Sequence, residues 1–93
     1  METAEPSLSR EATLVNELGL HARSAAKIAA LAREAEAGVW IEREGESADA
    51  TSIIDILTLA CTQGTTLTLR IENPSDLNIL DRLVELVRSG FGE

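Results

Sequence analysis

The sequence NELGLHARS, residues 16–24, is where the hydrophobic period of the chain changes. Residues 8–15 before it alternate between apolar and polar, with Leu8, Ala12 and Leu14 on one face and Arg10 as an exception, which is typical of a half-buried strand. After it, apolar side chains recur at helical spacing. We therefore expect a strand to end and a helix to begin within this stretch.

His21, the one histidine of the chain, falls at or next to the N-cap of that helix. The first backbone N–H groups of a helix have no intrahelical acceptor and form the positive end of the helix dipole, so they favour an anion. The sequence therefore predicts an anion site formed by the backbone of Ala22, Arg23 and Ser24.

A neutral imidazole beside an anion site is suited to phosphoryl transfer. One ring nitrogen can attack phosphorus, and the usual imidazole pKa of ~6.5 leaves the neutral form plentiful near pH 7. The Arg23 guanidinium offers a permanent charge with a geometry that matches phosphate oxygens. On residue type alone, however, a histidine at a helix end is more often a cap or a surface residue, so both interpretations stay open at this point.

The motif Gly-Leu-His-Ala-Arg, residues 19–23, resembles the active-site signature of the HPr family, the small phosphocarriers of the bacterial phosphoenolpyruvate phosphotransferase system. The longer motif over residues 16–23 and the tripeptide Ser-Gly-Phe at residues 89–91 are similar to the nitrogen-related branch of that family. The likeness extends from about residue 8 to residue 91. One departure is Ser24, which stands where the family usually has proline.

The resemblance implies that His21 accepts a phosphoryl group on Nδ1 from phospho-Enzyme I and passes it to a histidine of an enzyme IIA-type acceptor, with Arg23 steadying the charge. Such a protein is a co-substrate rather than a turnover enzyme, and it serves sugar transport or nitrogen regulation. It needs no cofactor, and we expect a cytoplasmic monomer. The alternative is a regulatory interaction module whose binding is switched by phosphorylation at His21 or Ser52.

A short apolar segment, residues 51–60, is predicted as a second helix with Ser52 as its N-cap, because Asp55 follows at capping-box spacing. The resemblance also matches Ser52 to a serine that a regulatory kinase phosphorylates, and a phosphorylase dephosphorylates, in some members. We favour the cap. In the family this helix contacts the partners, so we expect Ile53, Ile54 and Leu57 to form a docking patch rather than to be buried entirely.

Length and charge limit the other possibilities. The chain has 93 residues, which suits a single domain, and its net charge of −8 argues against nucleic-acid binding. The one cysteine, Cys61, excludes an internal disulfide, and one histidine with one cysteine makes a poor metal site. We find no run of residues apolar enough for membrane insertion. We assign residues 1–7 to a flexible leader and residues 8–93 to one HPr-like domain.

The remaining periodicity predicts the fold class. We expect a first helix over residues 22–37 ending at Gly38, strands over 39–43 and 46–50, a strand over 66–72, and a last helix from Asn73 and Pro74 to Gly90. Strands that alternate between apolar and polar residues indicate an antiparallel sheet with one solvent-exposed face, and we place Trp40 on that face. The prediction is an α+β open-faced two-layer sandwich, βαββαβα, whose four strands are covered on one face by three helices.

Overall fold

The structure is a computed structural model that describes residues 7–93. The predicted leader lies outside the described residues except for Ser7. The elements follow the predicted βαββαβα order. The strands are β1 (Ser9–Thr13), β2 (Val39–Arg43), β3 (Glu46–Asp49) and β4 (Thr66–Ile71), and the helices are α1 (Ala22–Ala32), α2 (Ile53–Thr58) and α3 (Leu77–Arg88). Short 3-10 turns at Pro74–Asp76 and Gly90–Gly92 flank α3.

The four strands form one antiparallel sheet in the order β1-β4-β2-β3. Ala12 of β1 pairs with Leu67, and Ile41 of β2 pairs with Leu69; all four side chains are buried beneath the helices. Helix α3 packs on β1 and β4, α2 packs on β3, and α1 contacts the other two helices. The predicted open-faced sandwich is therefore confirmed.

Trp40 lies on the open face of the sheet, as predicted. It pairs across β2 and β4 with Arg70, whose guanidinium carbon is 5.8 Å from the indole ring centroid. Its Nε1 donates to Glu72 at 2.7 Å. These polar contacts allow a large aromatic side chain to remain half-buried on a face that no helix covers.

Helix α1 ends at Ala32, five residues before the end predicted at residue 37. The chain turns instead, and the buried carboxylate of Asp76 accepts the backbone N–H groups of Glu36 at 2.9 Å and Ala37 at 3.0 Å. A side chain distant in sequence thus satisfies amides that would otherwise continue the helix. The prediction was therefore wrong for residues 33–37, which lie outside the helix.

Other element ends differ less. Strand β1 is shorter than residues 8–15, although single backbone bonds extend its pairing at both ends, from Ile71 N–H to the Leu8 carbonyl and from Leu14 N–H to the Thr65 carbonyl, each 2.9 Å. Helix α2 is shorter than residues 51–60, β3 and β4 each end one residue early, and the last helix begins as a 3-10 turn capped by Asn73. Within residues 7–93, no helix is long and apolar enough to cross a membrane.

Candidate functional site

His21 is the N-cap of α1, as predicted. Its backbone is extended, its carbonyl accepts the first helical bond from Ala25 N–H at 2.8 Å, and its Nδ1 accepts the backbone N–H of Arg23 at 3.3 Å. The imidazole is a quarter exposed, with a relative side-chain accessibility of 26%. One ring nitrogen therefore faces the first turn of the helix while the ring remains accessible.

Gly19 gives the loop before His21 its path. Its φ of +61° is in the left-handed region, and a Cβ there would lie 2.5 Å from the Cys61 carbonyl oxygen. That carbonyl accepts the backbone N–H of Leu20 at 3.0 Å, and the Leu20 side chain is buried. The loop is thus held close to the segment that follows α2, and His21 comes next with little freedom.

Ser24 supports the N-terminus of α1 through hydrogen bonds on its buried side. It is fully buried, its Oγ accepts the His21 backbone N–H at 3.0 Å and donates to the Gly19 carbonyl at 2.9 Å, with the His21 carbonyl a second acceptor at 3.2 Å. The residue that replaces the family proline therefore acts as half of a capping box. Its hydroxyl has its partners inside the protein, and only its backbone remains a candidate for anion binding.

Glu93 is a member of this site that the sequence reasoning missed. Its Oε2 lies 2.5 Å from His21 Nε2, and its Oε1 accepts from Asn16 Nδ2 at 3.0 Å. The hydrogen bond from Asn16 is the main reason that the pKa of Glu93 lies below its usual range; burial opposes the shift, and His21 adds to it. The resemblance at residues 89–91 pointed to this segment but not to its contact with the histidine.

Glu93 reaches the histidine because the segment before it folds back onto the core. Gly90 and Phe91 both have positive φ, +71° and +60°, and the Phe91 side chain is 1% exposed. The Lys27 ammonium donates to the Phe91 carbonyl. An anchored aromatic ring and a capped carbonyl thus place the following carboxylate over the start of α1.

Arg23 is exposed, and among residues 7–93 no carboxylate lies within ion-pair distance of its guanidinium. Its charge is near enough to contribute to the lowered pKa of Glu93. The described residues contain no group of three or more potential metal ligands. The site thus combines an accessible imidazole, a helix N-terminus and an exposed guanidinium, which is an arrangement that can bind an anion.

Residues 8–89 match the family model for the "PTS HPr component phosphorylation site". The chain belongs to the HPr family. At the level of the family, its function is that of a phosphocarrier of the phosphotransferase system.

Relatives and solved structures agree with this assignment. The chain is 40% identical to the phosphocarrier protein HPr of Cupriavidus necator, with 92% of this chain and 97% of the relative covered, and 38% identical to the phosphocarrier protein NPr of Shewanella violacea, with 92% and 94% covered. The crystal structure of HPr-C-His from Thermoanaerobacter tengcongensis superposes with a TM-score of 0.86 at 32% identity, covering 91% of this chain and 96% of that one.

In this HPr-family fold, Ser52 is the N-cap of α2. Its Oγ accepts the backbone N–H of Asp55 at 3.2 Å, but its own N–H donates to the Asp49 carbonyl, so only half of the predicted capping box forms. The prediction that Ser52 is the N-cap is therefore confirmed, although the capping box forms only in part, whereas a phosphoserine stays a hypothesis.

The three apolar residues predicted as a docking patch differ in exposure. Ile54 is 75% and Leu57 36% exposed, whereas Ile53 is partly buried against the core. Two exposed apolar side chains in the loop before His21 were not predicted, Val15 at 52% and Leu18 at 66%. The alternation of residues 8–15 is consistent with Val15 on the face opposite Ala12 and Leu14, whereas Leu18 lies in the loop, where no periodicity applies.

Proposed function

We propose that His21 accepts a phosphoryl group from the phosphohistidine of Enzyme I and passes it to a histidine of an enzyme IIA-type acceptor. The observation that supports this most is the position of Nδ1. That atom accepts the Arg23 backbone N–H, so it carries a lone pair, and it lies at the positive end of α1. A phosphoryl group on Nδ1 would meet the first amides of the helix.

In the transfer step, the Nδ1 lone pair forms a bond to phosphorus as the bond from phosphorus to the donor nitrogen breaks, with its electron pair leaving on the donor. No proton has to leave Nδ1, because the ring proton is on the other nitrogen. The backbone of Ala22, Arg23 and Ser24 and the Arg23 guanidinium stabilise the transferred charge. A helix N-terminus stabilises a bound anion by about 0.3–1 kcal/mol. This stabilisation is small enough for the phosphoryl group to leave again in the next transfer.

The partners are proposed to dock on Ile54 and Leu57, joined by Val15 and Leu18. These are the large apolar side chains that residues 7–93 leave exposed. α2 packs against α1, whose first turn carries His21. An apolar surface beside a charged site is the arrangement expected where two proteins must exclude water around a group that they exchange.

The proposal is tested by incubating the protein with phosphoenolpyruvate and Enzyme I. One acid-labile, alkali-stable phosphate should be added per chain, and none in His21→Ala. Transfer of that phosphate to an enzyme IIA-type acceptor distinguishes a carrier from a regulatory module, in which the phosphate would only change binding. Labelling that persists in His21→Ala would refute the assignment.

A further inference from the structure

Strand β1 forms one edge of the sheet, so only one of its two sides pairs with another strand. Ile71 N–H donates to the Leu8 carbonyl and Leu14 N–H donates to the Thr65 carbonyl, each at 2.9 Å. In an antiparallel ladder this register turns the backbone groups of the even-numbered residues of β1 towards β4. The backbone N–H and C=O groups of the odd-numbered residues therefore point away from the sheet.

The two ends of this outer side are already hydrogen-bonded. At the start of β1, the Ser9 carbonyl accepts from Arg10 Nη1 at 3.0 Å, and the Ser9 N–H donates to Ser7 Oγ at 3.4 Å. Beyond its end, the Val15 carbonyl accepts from Gln63 Nε2 at 3.0 Å. These contacts leave only the middle of the edge open.

The middle of the edge consists of Glu11 and Thr13. Within the described range of the chain, 7–93, the outward N–H and C=O groups of these two residues have no hydrogen-bond partner. We call these groups the edge window. Free backbone groups on an edge strand are a template for a further strand, so an extended peptide can fill the edge window with backbone hydrogen bonds.

A groove beside the edge window carries charges of opposite sign on its two faces. It has a volume of about 360 Å³ and is lined by residues 11–13 and by Arg88, the last residue of α3. Ala12 is buried beneath the helices, so the Glu11 side chain next to it lies on the open face of the sheet. Arg88 is exposed on the face that α3 covers, and in the part of the chain that the structure describes no carboxylate lies within ion-pair distance of it. An added strand would therefore meet an acidic group on one face and a basic group on the other.

We propose that the β1 edge binds an extended segment of a partner protein as a fifth strand, and that this segment carries a basic and an acidic residue next to each other in sequence. Successive side chains of a strand point to opposite faces. A basic side chain on the open face therefore meets Glu11, and the acidic side chain beside it reaches the other face and meets Arg88. Backbone hydrogen bonds supply affinity, and the two charges supply specificity. Nothing in this arrangement depends on phosphorylation of His21.

A second copy of this chain fits the edge window less well. Antiparallel pairing of two β1 strands that fills both edge windows places Glu11 opposite Thr13 of the other copy. Within residues 9–13, the open face has no basic residue and the helix-covered face has no acidic residue, so Glu11 and Arg88 both stay without an opposite charge. Two chains with a net charge of −8 each also repel one another. The occupant is therefore a segment of a different protein.

The test is a titration of the ¹⁵N-labelled protein with two synthetic peptides of the same composition, blocked at both ends. In the first peptide, TVKEVT, the two charged residues are adjacent and point to opposite faces of a strand. In the second, TKVEVT, they are one residue apart and point to the same face, so only one of them can be matched. We expect saturable shifts of the amide signals of residues 9–13 and of Arg88. The second peptide should bind about two- to fivefold more weakly, as expected for the loss of one exposed ion pair.

Two variants and a control locate the binding. Arg88→Gln should weaken the first peptide about two- to fivefold and should abolish its advantage over the second. Arg82→Gln, which removes another exposed arginine of α3 outside the groove, is the control and should leave both affinities unchanged. Thr13→Pro removes an N–H of the edge window but none of the bonds to β4, so it should weaken both peptides about two- to tenfold. The Tm of each variant verifies that the fold is retained.

Three outcomes would overturn the proposal. The first is equal affinity of the wild type for the two peptides, or shifts that lie away from β1 and Arg88. The second is binding that neither Arg88→Gln nor Thr13→Pro weakens in variants that keep the wild-type fold. The third is an edge occupied by the chain itself, seen either as a dimer in sedimentation that protects the Glu11 and Thr13 amides from hydrogen exchange or as peptide binding that appears only after residues 2–6 are removed.

Discussion

Replacing Ser24 by alanine should destabilise the protein at the start of α1. The substitution removes a buried hydroxyl that accepts the His21 N–H and donates to the Gly19 carbonyl. The Gly19 carbonyl keeps its bond from Asn16 Nδ2, but the His21 N–H loses its partner. Losing a cap costs about 1 kcal/mol, and an unpaired, partly buried donor adds up to about another 1 kcal/mol. We therefore expect a loss of about 1.5 kcal/mol, which lowers the Tm of a domain of this size by roughly 6–12 °C.

Ser24→Pro provides the comparison. Proline removes the same hydroxyl, but its ring suits the first turn of a helix and restricts the unfolded chain, which recovers about 0.4–1 kcal/mol. Its Tm should lie between those of Ser24→Ala and the wild type, and phosphorylation should persist. Ser47→Ala, an exposed serine on β3, is the control and should be neutral. A Tm for Ser24→Ala within about 2 °C of wild type, or loss of labelling in Ser24→Pro, would refute the reasoning.

Three further outcomes are expected. Gly19→Ala should lower the Tm more than Ser24→Ala in calorimetry, because its positive φ strains any side chain and the added Cβ meets the Cys61 carbonyl; a neutral effect would contradict the loop geometry. The double variant Ile54→Glu, Leu57→Glu should slow phosphorylation by Enzyme I with little change in Tm. The control double variant Ala30→Glu, Asn78→Glu adds two acidic charges at other exposed helix positions and should leave the rate unchanged. Equal phosphorylation rates in the two double variants would remove the patch from the proposal. The folded pKa of Glu93 is depressed, so its stabilising effect is present above the unfolded pKa of ~4.3 and is lost as pH falls through the lower folded value. Urea unfolding should thus show wild type more stable than Glu93→Gln at pH 7, and the two should converge as the pH falls below the unfolded pKa of ~4.3; a constant difference would argue against the shift.

The order of elements could be predicted because each one depends on local chemistry. β4 alternates strictly, with Leu67, Leu69 and Ile71 buried, and α3 carries a continuous buried stripe. The end of α1 could not be predicted, since it depends on Asp76, which approaches from the start of the last helix. Helix ends are decided by whichever group satisfies the free amides, and here that group is distant in sequence.

The candidate site divides in the same way. The change in hydrophobic periodicity and a short motif predicted His21 and Arg23 as site residues. The position of His21 at that change also predicted that it caps the helix. Glu93 could not be found by that route, because its role depends on a contact across 72 residues. Ile53 was expected on the docking patch, but the packing of α2 turns it towards the core, and it leaves Ile54 exposed.

The amino-acid sequence by itself determined the order of strands and helices, the aliphatic core and the position of His21 at the N-terminus of α1. Hydrophobic periodicity, capping residues and short motifs are local properties that a chain has before it folds. Only the tertiary structure decided which carboxylate contacts His21 and which apolar side chains remain exposed to solvent. The first depends on how residues 90–93 return to the loop before His21, and the second on how α2 packs against the core. No local pattern encodes the contacts among Asn16, His21 and Glu93.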